Sequence, residues 1–467
     1  EKLKMILNVF EESSIKNHKL PEEWQSQASL DELLDFLQTN WEQRGVFYED
    51  GKINSRQQFL TFIGQKGIRT NNYIGTIVFK GQQLNIFPKM FREDKYDSDT
   101  SNLDLKHLMR NLVVWLDYCT KISYPYISIS TDLDDSTDLR DLFVSLYVRY
   151  VKAAIDHGFY YRYEEQNEDC SSIKGKIDIK DYFTKKYPNG LLNSFRCSFS
   201  TFEFDNALNR IIKYTCKELY NEASKPNQKI IRNILSRLND VSDVKCSPHD
   251  CDKIRLSRLH KQYGIILSMS KMFLLNKTST YNVDDTESFC FLFPSELLFE
   301  GFIGGFIAES LSGKANVRLQ ASDTSLVDDI IISDTSYGAA FTLRNDIFVK
   351  MVDGRCFVLD TKYKPIDRIE NTVDSFIAIQ QQVSIDDLRQ IREYAFKRNL
   401  KAGFLLYPIF RFEDLSEPQV VLLKGNIIVE GEKHNIDVYV IRIPFIFEED
   451  IEATKQKLAQ CLENIFH

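Results

Sequence analysis

The sequence predicts a multidomain α+β protein with a β-containing N-terminal region, a helical middle and a C-terminal α/β domain. A chain of 467 residues is too long for one ordinary core. β-Rich runs occur near residues 73–91, helical spacing dominates from about 139 to 290, and strands alternate with a helix after that. We expect four parts: an N-terminal helical extension (1–60), a β-rich N-terminal region (61–130), a helical middle domain (131–289) and the C-terminal domain (290–467).

Composition is that of a globular protein, with 43% hydrophobic and 27% charged residues. No apolar run approaches the ~20 residues of a membrane span, and no leader peptide is recognisable. The nine cysteines are scattered and odd in number, so they do not form the pattern of a disulfide framework. We therefore expect a cytoplasmic protein in a reducing compartment, with no membrane association.

Charge is distributed unevenly along the chain. The net charge of −8 argues against a simple nucleic-acid coat protein. Residues 174–261, however, contain 18 Lys and Arg against 10 Asp and Glu, which leaves −16 for the remainder. This basic segment is able to meet phosphate groups; the alternative is a solvated helical surface.

The first half of the chain carries several local signals. The stretch SLDELLDFLQ (29–38) predicts a helix capped by Ser29, with Glu32 three residues on. Two β-rich runs around Lys80-Gly81-Gln82 predict a hairpin, which Pro88 ends. Apolar residues at helical spacing predict a core helix over 105–119, an acidic loop is expected at 130–138, and a short strand-like segment lies at 171–183.

The second half reads as α/β. After Pro294, a long amphipathic helix is expected within residues 291–311. Beyond this helix, the sequence pattern predicts a second helix at 385–398. It also predicts strands at 326–333, 341–350, 355–361 and 402–408.

Two aspartates in this region have a spacing that suits a hairpin. Asp346 lies on one predicted strand, a turn is expected at Asp353-Gly354, and Asp360 and Lys362 lie on the next strand. Because side chains alternate along a strand, Asp360 and Lys362 share a face. Two carboxylates that share a site repel each other unless a cation intervenes, and oxygen ligands suit Mg²⁺. The pattern predicts phosphodiester chemistry, with the lysine positioning or deprotonating a water; a plain surface salt bridge is the alternative.

Two other groups of residues need an interpretation. Gln390 and Tyr394 are four residues apart and share a helical face, which is ordinarily a half-buried packing edge. Cys246, His249 and Cys251 are possible zinc ligands, but their spacing matches no closed four-ligand set, so we expect a polar loop.

Asp346, Asp360-x-Lys362 and Gln390-x-x-x-Tyr394 together resemble the PD-(D/E)xK nuclease superfamily, in its branch with a Q-x-x-x-Y helix. More closely, the chain is similar to the McrC family, the nuclease subunits of McrBC-type restriction systems. The similar segments span about 73 to 408, and their order and spacing are more specific than any one of them. They are GTIVFKGQQLNIFPKMF (75–91), IKGKIDI (173–179), FDNALNRIIKYT (204–215), LLFEGFIGGFI (297–307) and LLYP (405–408).

The resemblance implies a role for each matching residue. Asp346 and Asp360 are the implied metal ligands for Mg²⁺ (or Mn²⁺), and Lys362 is the implied catalytic lysine. Glu300 is the implied acidic residue of the domain's first helix, near the metal. Gln390 is implied to orient the site or touch DNA. Asn345 departs from the family pattern, which usually has proline before the first aspartate.

The resemblance also implies a partner, a McrB-like AAA+ GTPase ring that this chain docks on and stimulates, and double-stranded DNA as substrate. Docking is expected from the region around 73–91 and the helical middle. Lys89, Lys174 and Lys176 are candidates for a residue that inserts into the partner's nucleotide site, with ordinary surface lysines as the alternative. No G-x-x-x-x-G-K-[ST] motif occurs, so we expect no nucleotide bound by this chain itself.

Two other functions remain open at this point. One is a docking and activating subunit whose nuclease site is degenerate, and the other is a standalone DNA repair nuclease without a ring partner.

Overall fold

The structure is a computed structural model, and it combines helices with several sheets, so the expected mixture of α and β is confirmed. It describes residues 5–43, 56–92, 100, 103–119, 139–256, 260, 263–278, 288–332, 335–364, 366–368, 373–409, 419–429, 431–448 and 450–466. The expected loop at 130–138 lies outside these residues.

The chain divides into two compact units. Unit 1 comprises Glu1–Gln43, Glu49–Leu139 and Val283–His467, and unit 2 comprises Arg44–Tyr48 and Arg140–Asn282. Both ends of the chain therefore belong to one unit. The finer boundaries expected at 60, 130 and 289 stay a prediction. None of the helices in the described part of the chain is long and apolar enough to cross a membrane.

The described residues in the N-terminal part of unit 1 form strands and α-helices. They are β1 (Ile6–Phe10), β2 (Ser14–Lys16), α1 (Gln27–Gln43), β3 (Leu60–Phe62), β4 (Gly67–Thr70), β5 (Tyr73–Phe79), β6 (Gln82–Phe87) and α2 (Leu105–Tyr118).

The predicted hairpin is confirmed as β5 and β6, which pair antiparallel. Its turn has two residues, because Gln82 already pairs with Phe79. Lys80 and Gly81 both have positive φ, 50° and 74°, as the tight turns that join twisted strands require. β1 then adds to β6 in parallel, so this buried sheet includes a strand that is distant from the hairpin in sequence.

The helix predicted from SLDELLDFLQ exists, but the prediction of Ser29 as its N-cap is wrong. α1 begins at Gln27, and Ser26 Oγ accepts a hydrogen bond from the Ser29 backbone N–H at 3.2 Å. Ser26 therefore caps the first turn. The helix predicted over 105–119 is confirmed as α2, with Asp104 as its cap.

Unit 2 contains helices and a three-stranded sheet in the order β7-β9-β8. The prediction of a mostly helical middle missed β7 and β9, since the polar sequence of β7 shows no apolar alternation. Of the strand-like segment at 171–183, only β8 is a strand. The elements are α3 (Leu139–His157), β7 (Arg162–Cys170), β8 (Lys176–Ile177), α4 (Ile179–Asp181), β9 (Phe195–Glu203), α5 (Ala207–Tyr220), α6 (Lys225–Arg237), α7 (Pro248–Asp252) and α8 (Tyr263–Thr278).

The C-terminal part of unit 1 contains the remaining elements. They are β10 (Phe289–Pro294), α9 (Ser295–Ser310), β11 (Ala315–Val327), β12 (Ile331–Ile332), β13 (Thr335–Ser336), β14 (Ala340–Met351), β15 (Cys356–Thr361), α10 (Val373–Gln382), α11 (Ile385–Lys397), β16 (Ala402–Pro408), β17 (Gln419–Leu423), β18 (Asn426–Val429), β19 (Glu432–Asn435), β20 (Asp437–Ile443) and α12 (Ile451–Phe466).

A six-stranded sheet organises this part, in the order β11-β14-β15-β16-β20-β17. β15, β16 and β20 are parallel to one another, and the chain between β15 and β16 contains α10 and α11. Ile391 and Tyr394 of α11 pack against this sheet, in one core cluster with Leu405. The predicted strand at 326–333 is wrong, because β11 starts much earlier and ends at Val327.

The helix expected after Pro294 is confirmed as α9, but it is buried on most sides and is not amphipathic. It packs closely on α2. A Cβ atom at Gly305 would lie 1.8 Å from the carbonyl oxygen of Tyr118, so only glycine permits this approach. β10, immediately before it, pairs with β5 and thereby joins the two parts of unit 1.

Candidate active site

The hairpin of β14 and β15 brings the two predicted aspartates opposite each other. Its register pairs Ile347 with Leu359, and one further step places Asp346 opposite Asp360. Directly opposed residues of an antiparallel pair project from the same face of the sheet. The turn is at Asp353-Gly354, where Gly354 has a φ of 92°. The hairpin predicted from the Asp-Gly pair is therefore confirmed.

Asp346 is held by the neighbouring strand. Its Oδ2 accepts hydrogen bonds from the backbone N–H and from the hydroxyl group of Thr361, both at 2.8 Å. The preceding residue, Asn345, is fully buried and accepts a hydrogen bond from Arg398 Nε at 2.7 Å. Asn345 stands where the similar family usually has proline. Its hydrogen bond connects β14 to Arg398 at the C-terminal end of α11.

Asp360 is almost completely buried, with 1% of its surface exposed. Burial raises the pKa of its carboxyl group to about 7, and the negative charge of Asp346 adds to this effect. The ammonium group of Lys362 acts in the opposite direction, from 2.6 Å away. Asp360 Oδ2 makes no hydrogen bond of regular geometry. Its interaction with the Lys362 ammonium group is therefore an ion pair.

Lys362 lies among several acceptors. Besides Asp360, its Nζ is 3.1 Å from Gln390 Oε1 and 3.6 Å from Asp387 Oδ1. Burial lowers the pKa of Lys362, but the carboxylates of Asp360, Asp387 and Asp346 outweigh that effect, and the pKa is raised. Lys362 is therefore a charged hydrogen-bond donor in this arrangement.

Helix α11 supplies the other wall of the site. Gln390 accepts from Lys362 and donates through Nε2 to the Tyr394 hydroxyl oxygen at 2.6 Å. Tyr394 is 5% exposed and packs in the core. Asp387, one turn before Gln390, was not predicted. Its signal in the sequence is the i, i+3 spacing to Gln390, which places both on one helical face.

Glu300 is half-buried on α9, a helix that packs on β14 and β15. In the part of the chain that the structure describes, no three or more His, Cys, Asp or Glu side chains are grouped so that they could hold a metal ion. Asp346 and Asp360 therefore form a pair of acidic groups, and Glu300 is not drawn into a common cluster with them.

The pair nevertheless fits a hard divalent cation. Both side chains offer carboxylate oxygens on one face, and one oxygen of Asp360 is buried without a regular hydrogen bond. Mg²⁺ is commonly bound through only one or two protein carboxylates, with waters and substrate phosphates as further ligands. A cation at this point would also relieve the repulsion between the two carboxylates.

A second buried carboxylate, that of Glu11, contacts Tyr363, the residue after Lys362. Glu11 Oε1 accepts from the Tyr363 hydroxyl group at 2.7 Å and from the Lys89 backbone N–H at 2.9 Å, and Oε2 accepts from Ser295 Oγ at 2.6 Å. The Lys89 ammonium pairs with Glu12 at 2.6 Å and is buried, so it is not an ordinary surface lysine.

In unit 2, the expected polar loop at Cys246–Cys251 is a short capped helix. Ser247 and Asp250 form a reciprocal capping box, and both thiols pack in an apolar cluster with Ile211. Burial raises the pKa of the Cys251 thiol to about 12 and also raises that of Cys246. These protonated thiols have the properties of core residues.

The segment between β7 and β9 exposes an unusual amount of apolar surface. We call it the β7–β9 apolar patch, and its side chains are between 50% and 61% exposed. Its members are Ile173, Ile179, Phe183, Tyr187, Leu191 and Leu192. Lys174 and Lys176 are exposed beside it.

The sequence matches the family model described as McrBC 5-methylcytosine restriction system component over residues 68–408, which is more than half of the chain. No curated protein sequence matches it. A chain in the refined half-complex from the tetradecameric assembly of Thermococcus gammatolerans McrB AAA+ hexamers with bound McrC is 15% identical, with a TM-score of 0.58 over 99% of this chain and 100% of that chain. This likeness shows a shared fold. A chain in the cryo-EM structure of the Thermococcus gammatolerans McrBC complex is 16% identical over 66% of this chain and 88% of that chain, with a TM-score of 0.43.

Proposed function

The chain belongs to the family of McrBC 5-methylcytosine restriction system components, and on this basis we propose that it is the subunit of such a system that cleaves DNA. The family resemblance carried by the sequence motifs is thereby confirmed. The proposed reaction is hydrolysis of a phosphodiester bond in double-stranded DNA, in a C-terminal domain of the PD-(D/E)xK type that depends on Mg²⁺ or Mn²⁺.

The observation that carries the proposal is the opposition of Asp346 and Asp360 beside a charged lysine. Asp346 and Asp360 would hold the cation, which when bound stabilises the negative charge that develops on the phosphate. Lys362 carries a positive charge, as its raised pKa indicates, and it is able to donate a hydrogen bond to a phosphate oxygen. We assign it this role in preference to that of a base. Gln390 keeps the lysine on the site face through its 3.1 Å hydrogen bond.

A partner is part of the proposal. The similar solved structure contains McrB AAA+ hexamers with bound McrC, and we propose that this chain docks on and stimulates a comparable AAA+ GTPase ring. The β7–β9 apolar patch supports this idea, because an exposed patch of large apolar side chains marks a surface that meets another protein. The net charge of −8 and the lack of a phosphate-binding loop agree with a subunit that relies on its partner for DNA affinity and for the nucleotide.

The experiment combines this chain with its AAA+ partner, GTP, Mg²⁺ and DNA, and compares wild type with Asp360→Ala. We expect cleavage to be lost in Asp360→Ala and on chelation of the metal, while stimulation of GTP hydrolysis by the variant is retained. Asp353→Ala is the matched control, because Asp353 lies in the same hairpin with its side chain 50% exposed.

Three outcomes decide between the functions. Loss of cleavage with retained stimulation supports the proposal. Stimulation by a wild type that never cleaves, on methylated or unmethylated DNA, points to a docking subunit with a degenerate site. Cleavage of equal rate without the ring points to a standalone nuclease.

A further inference from the structure

Lys362 lies between two carboxylates, and only one of them belongs to the proposed metal site. Its Nζ is 2.6 Å from Asp360 Oδ2 on one side and 3.6 Å from Asp387 Oδ1 on the other. Gln390 Oε1 lies 3.1 Å away. A shift of the ammonium group by less than about 1 Å toward Asp387 brings it within hydrogen-bond distance of that carboxylate.

Asp387 is held firmly in its position. It lies in the first turn of α11, whose start is capped by Ser384, and its side chain is only 10% exposed. Its other oxygen, Oδ2, is 3.1 Å from Lys364 Nζ. A negative charge in the first turn of a helix is also favoured by the helix dipole. Asp387 therefore offers a fixed negative charge one step away from the site.

An ammonium group and a divalent cation compete for the same Asp360 oxygens. When a cation takes the Asp360 carboxylate, the Lys362 ammonium is repelled and must move. The Lys362 side chain is 17% exposed, so water replaces its lost partner only in part. A partly buried charge without a counter-ion is costly, and the position of Asp387 removes that cost.

We propose that Asp387 is a positioning residue that receives the Lys362 ammonium when a divalent cation binds Asp360, and thereby sets the cation affinity of the site. This inference rests on the proposed function. It assigns Asp387 no contact with the cation and no part in proton transfer. The Lys362 ammonium group thus has two positions, beside Asp360 without the cation and beside Asp387 with it.

The test measures cation binding to the full-length chain without DNA, by isothermal titration calorimetry with Ca²⁺ as the probe. We expect Asp387→Asn to raise the Kd for Ca²⁺ about tenfold, in the range of coupling between neighbouring groups. Asp386→Asn is the matched control, because Asp386 is the adjacent residue of the same helix with its side chain 89% exposed. Its Kd should stay within about twofold of wild type.

The decisive comparison repeats both measurements in a Lys362→Met background. Without the ammonium group there is nothing for Asp387 to receive, so Asp387→Asn should no longer change the Kd. If Asp387→Asn weakens Ca²⁺ binding equally in both backgrounds, Asp387 acts through its own charge or as a ligand, and the inference is overturned.

A third variant guards against a general loss of structure. Asp387→Glu keeps the carboxylate, and we expect its Kd to lie within about threefold of wild type. A Kd as high as that of Asp387→Asn would mean that local packing, and not the negative charge, sets the affinity, and would overturn the inference.

The inference and the proposed function fail in different ways. If wild type binds no Ca²⁺, or if Asp360→Ala binds Ca²⁺ as tightly as wild type does, the proposed metal site is wrong. The proposed function and the inference about Asp387 are then both overturned. If wild type binds Ca²⁺, Asp360→Ala does not, and Asp387→Asn is unchanged, only the role of Asp387 falls.

Discussion

Two buried carboxylates lie at the end of β15, and their surroundings differ. Asp360 belongs to the strand itself, and Glu11 contacts Tyr363 just after it. Glu11 accepts three hydrogen bonds from neutral donors, namely the Tyr363 hydroxyl group, the Ser295 hydroxyl group and the Lys89 backbone N–H. Asp360 has a lysine ammonium beside it and a second carboxylate opposite, and its Oδ2 has no regular hydrogen bond.

Burial raises the pKa of both groups, so the pKa alone does not separate them. The donors do. Glu11 is satisfied by groups that need no further ligand, which is the arrangement of a structural anchor. Asp360 is left with unbalanced charges that a cation would complete, which is the arrangement of a functional site. We expect removal of Glu11 to lower stability and removal of Asp360 to lower activity.

The largest expected effect on stability is that of Glu11→Ala. It leaves three buried donors without an acceptor and creates a cavity, so the free energy of unfolding should fall by about 3–5 kcal/mol. Urea denaturation measures this change. Glu22→Ala, at an exposed position, is the control and should change stability by no more than about 0.5 kcal/mol. A loss of free energy of unfolding below about 1 kcal/mol for Glu11→Ala would show that Glu11 is not a structural anchor.

A smaller effect is expected where the site is supported by Thr361. Thr361→Val removes one of the two hydrogen bonds to Asp346 Oδ2, and we expect about tenfold slower cleavage and a loss of about 1 kcal/mol in stability. Thr361→Ser keeps the hydroxyl group and should stay within about threefold of wild type. Single-turnover cleavage rates measure both. Equal rates for the two variants would show that the hydroxyl group does not orient Asp346.

The smallest effect concerns pH and Glu11→Gln. The amide of glutamine is able to donate to Ser295 Oγ, whose own proton then goes to the Asn72 carbonyl oxygen 3.2 Å away. Burial raises the pKa of Glu11 above its usual 4.5, so the folded protein binds this proton more tightly than the unfolded chain does. The resulting stabilisation is complete below pH 4.5 and is lost as pH rises through the pKa of the folded state.

Glutamine does not titrate, so the free energy of unfolding of Glu11→Gln should improve relative to that of wild type as pH rises. Urea denaturation at several pH values follows the difference. A difference that is constant with pH, or that moves in favour of wild type, would show that Glu11 is not protonated preferentially in the fold.

Local signals in the sequence were enough to predict the hairpin that carries the site. An Asp-Gly pair between two β-rich runs, together with alternation along each strand, placed Asp346 and Asp360 correctly on paired strands, whereas Lys362 follows directly after β15 and not within it. The four-residue spacing of Gln390 and Tyr394 likewise placed them on one face of α11. Turn chemistry and periodicity act over a few residues, and a sequence shows them directly.

Features that depend on distant partners were missed. β10 was not predicted as a strand, because its pairing with β5 joins residues more than two hundred positions apart. Asp387 was not predicted as a site residue, because its contact with Lys362 joins helix α11 to the residue that follows β15. Glu11 gave no signal, because its three donors come from three separate parts of the chain.

We propose that Asp360 serves the reaction and not the stability of the fold. The most direct measurement pairs thermal unfolding with DNA cleavage for Asp360→Asn, a variant that removes the negative charge and keeps the shape. We expect a melting temperature equal to or above that of wild type, because a buried charge facing Asp346 is removed, together with at least a hundredfold loss of cleavage, or about 2.7 kcal/mol of activation free energy. A variant that still cleaves DNA at a rate near that of wild type, or that loses cleavage only because it unfolds at a lower temperature, would contradict it.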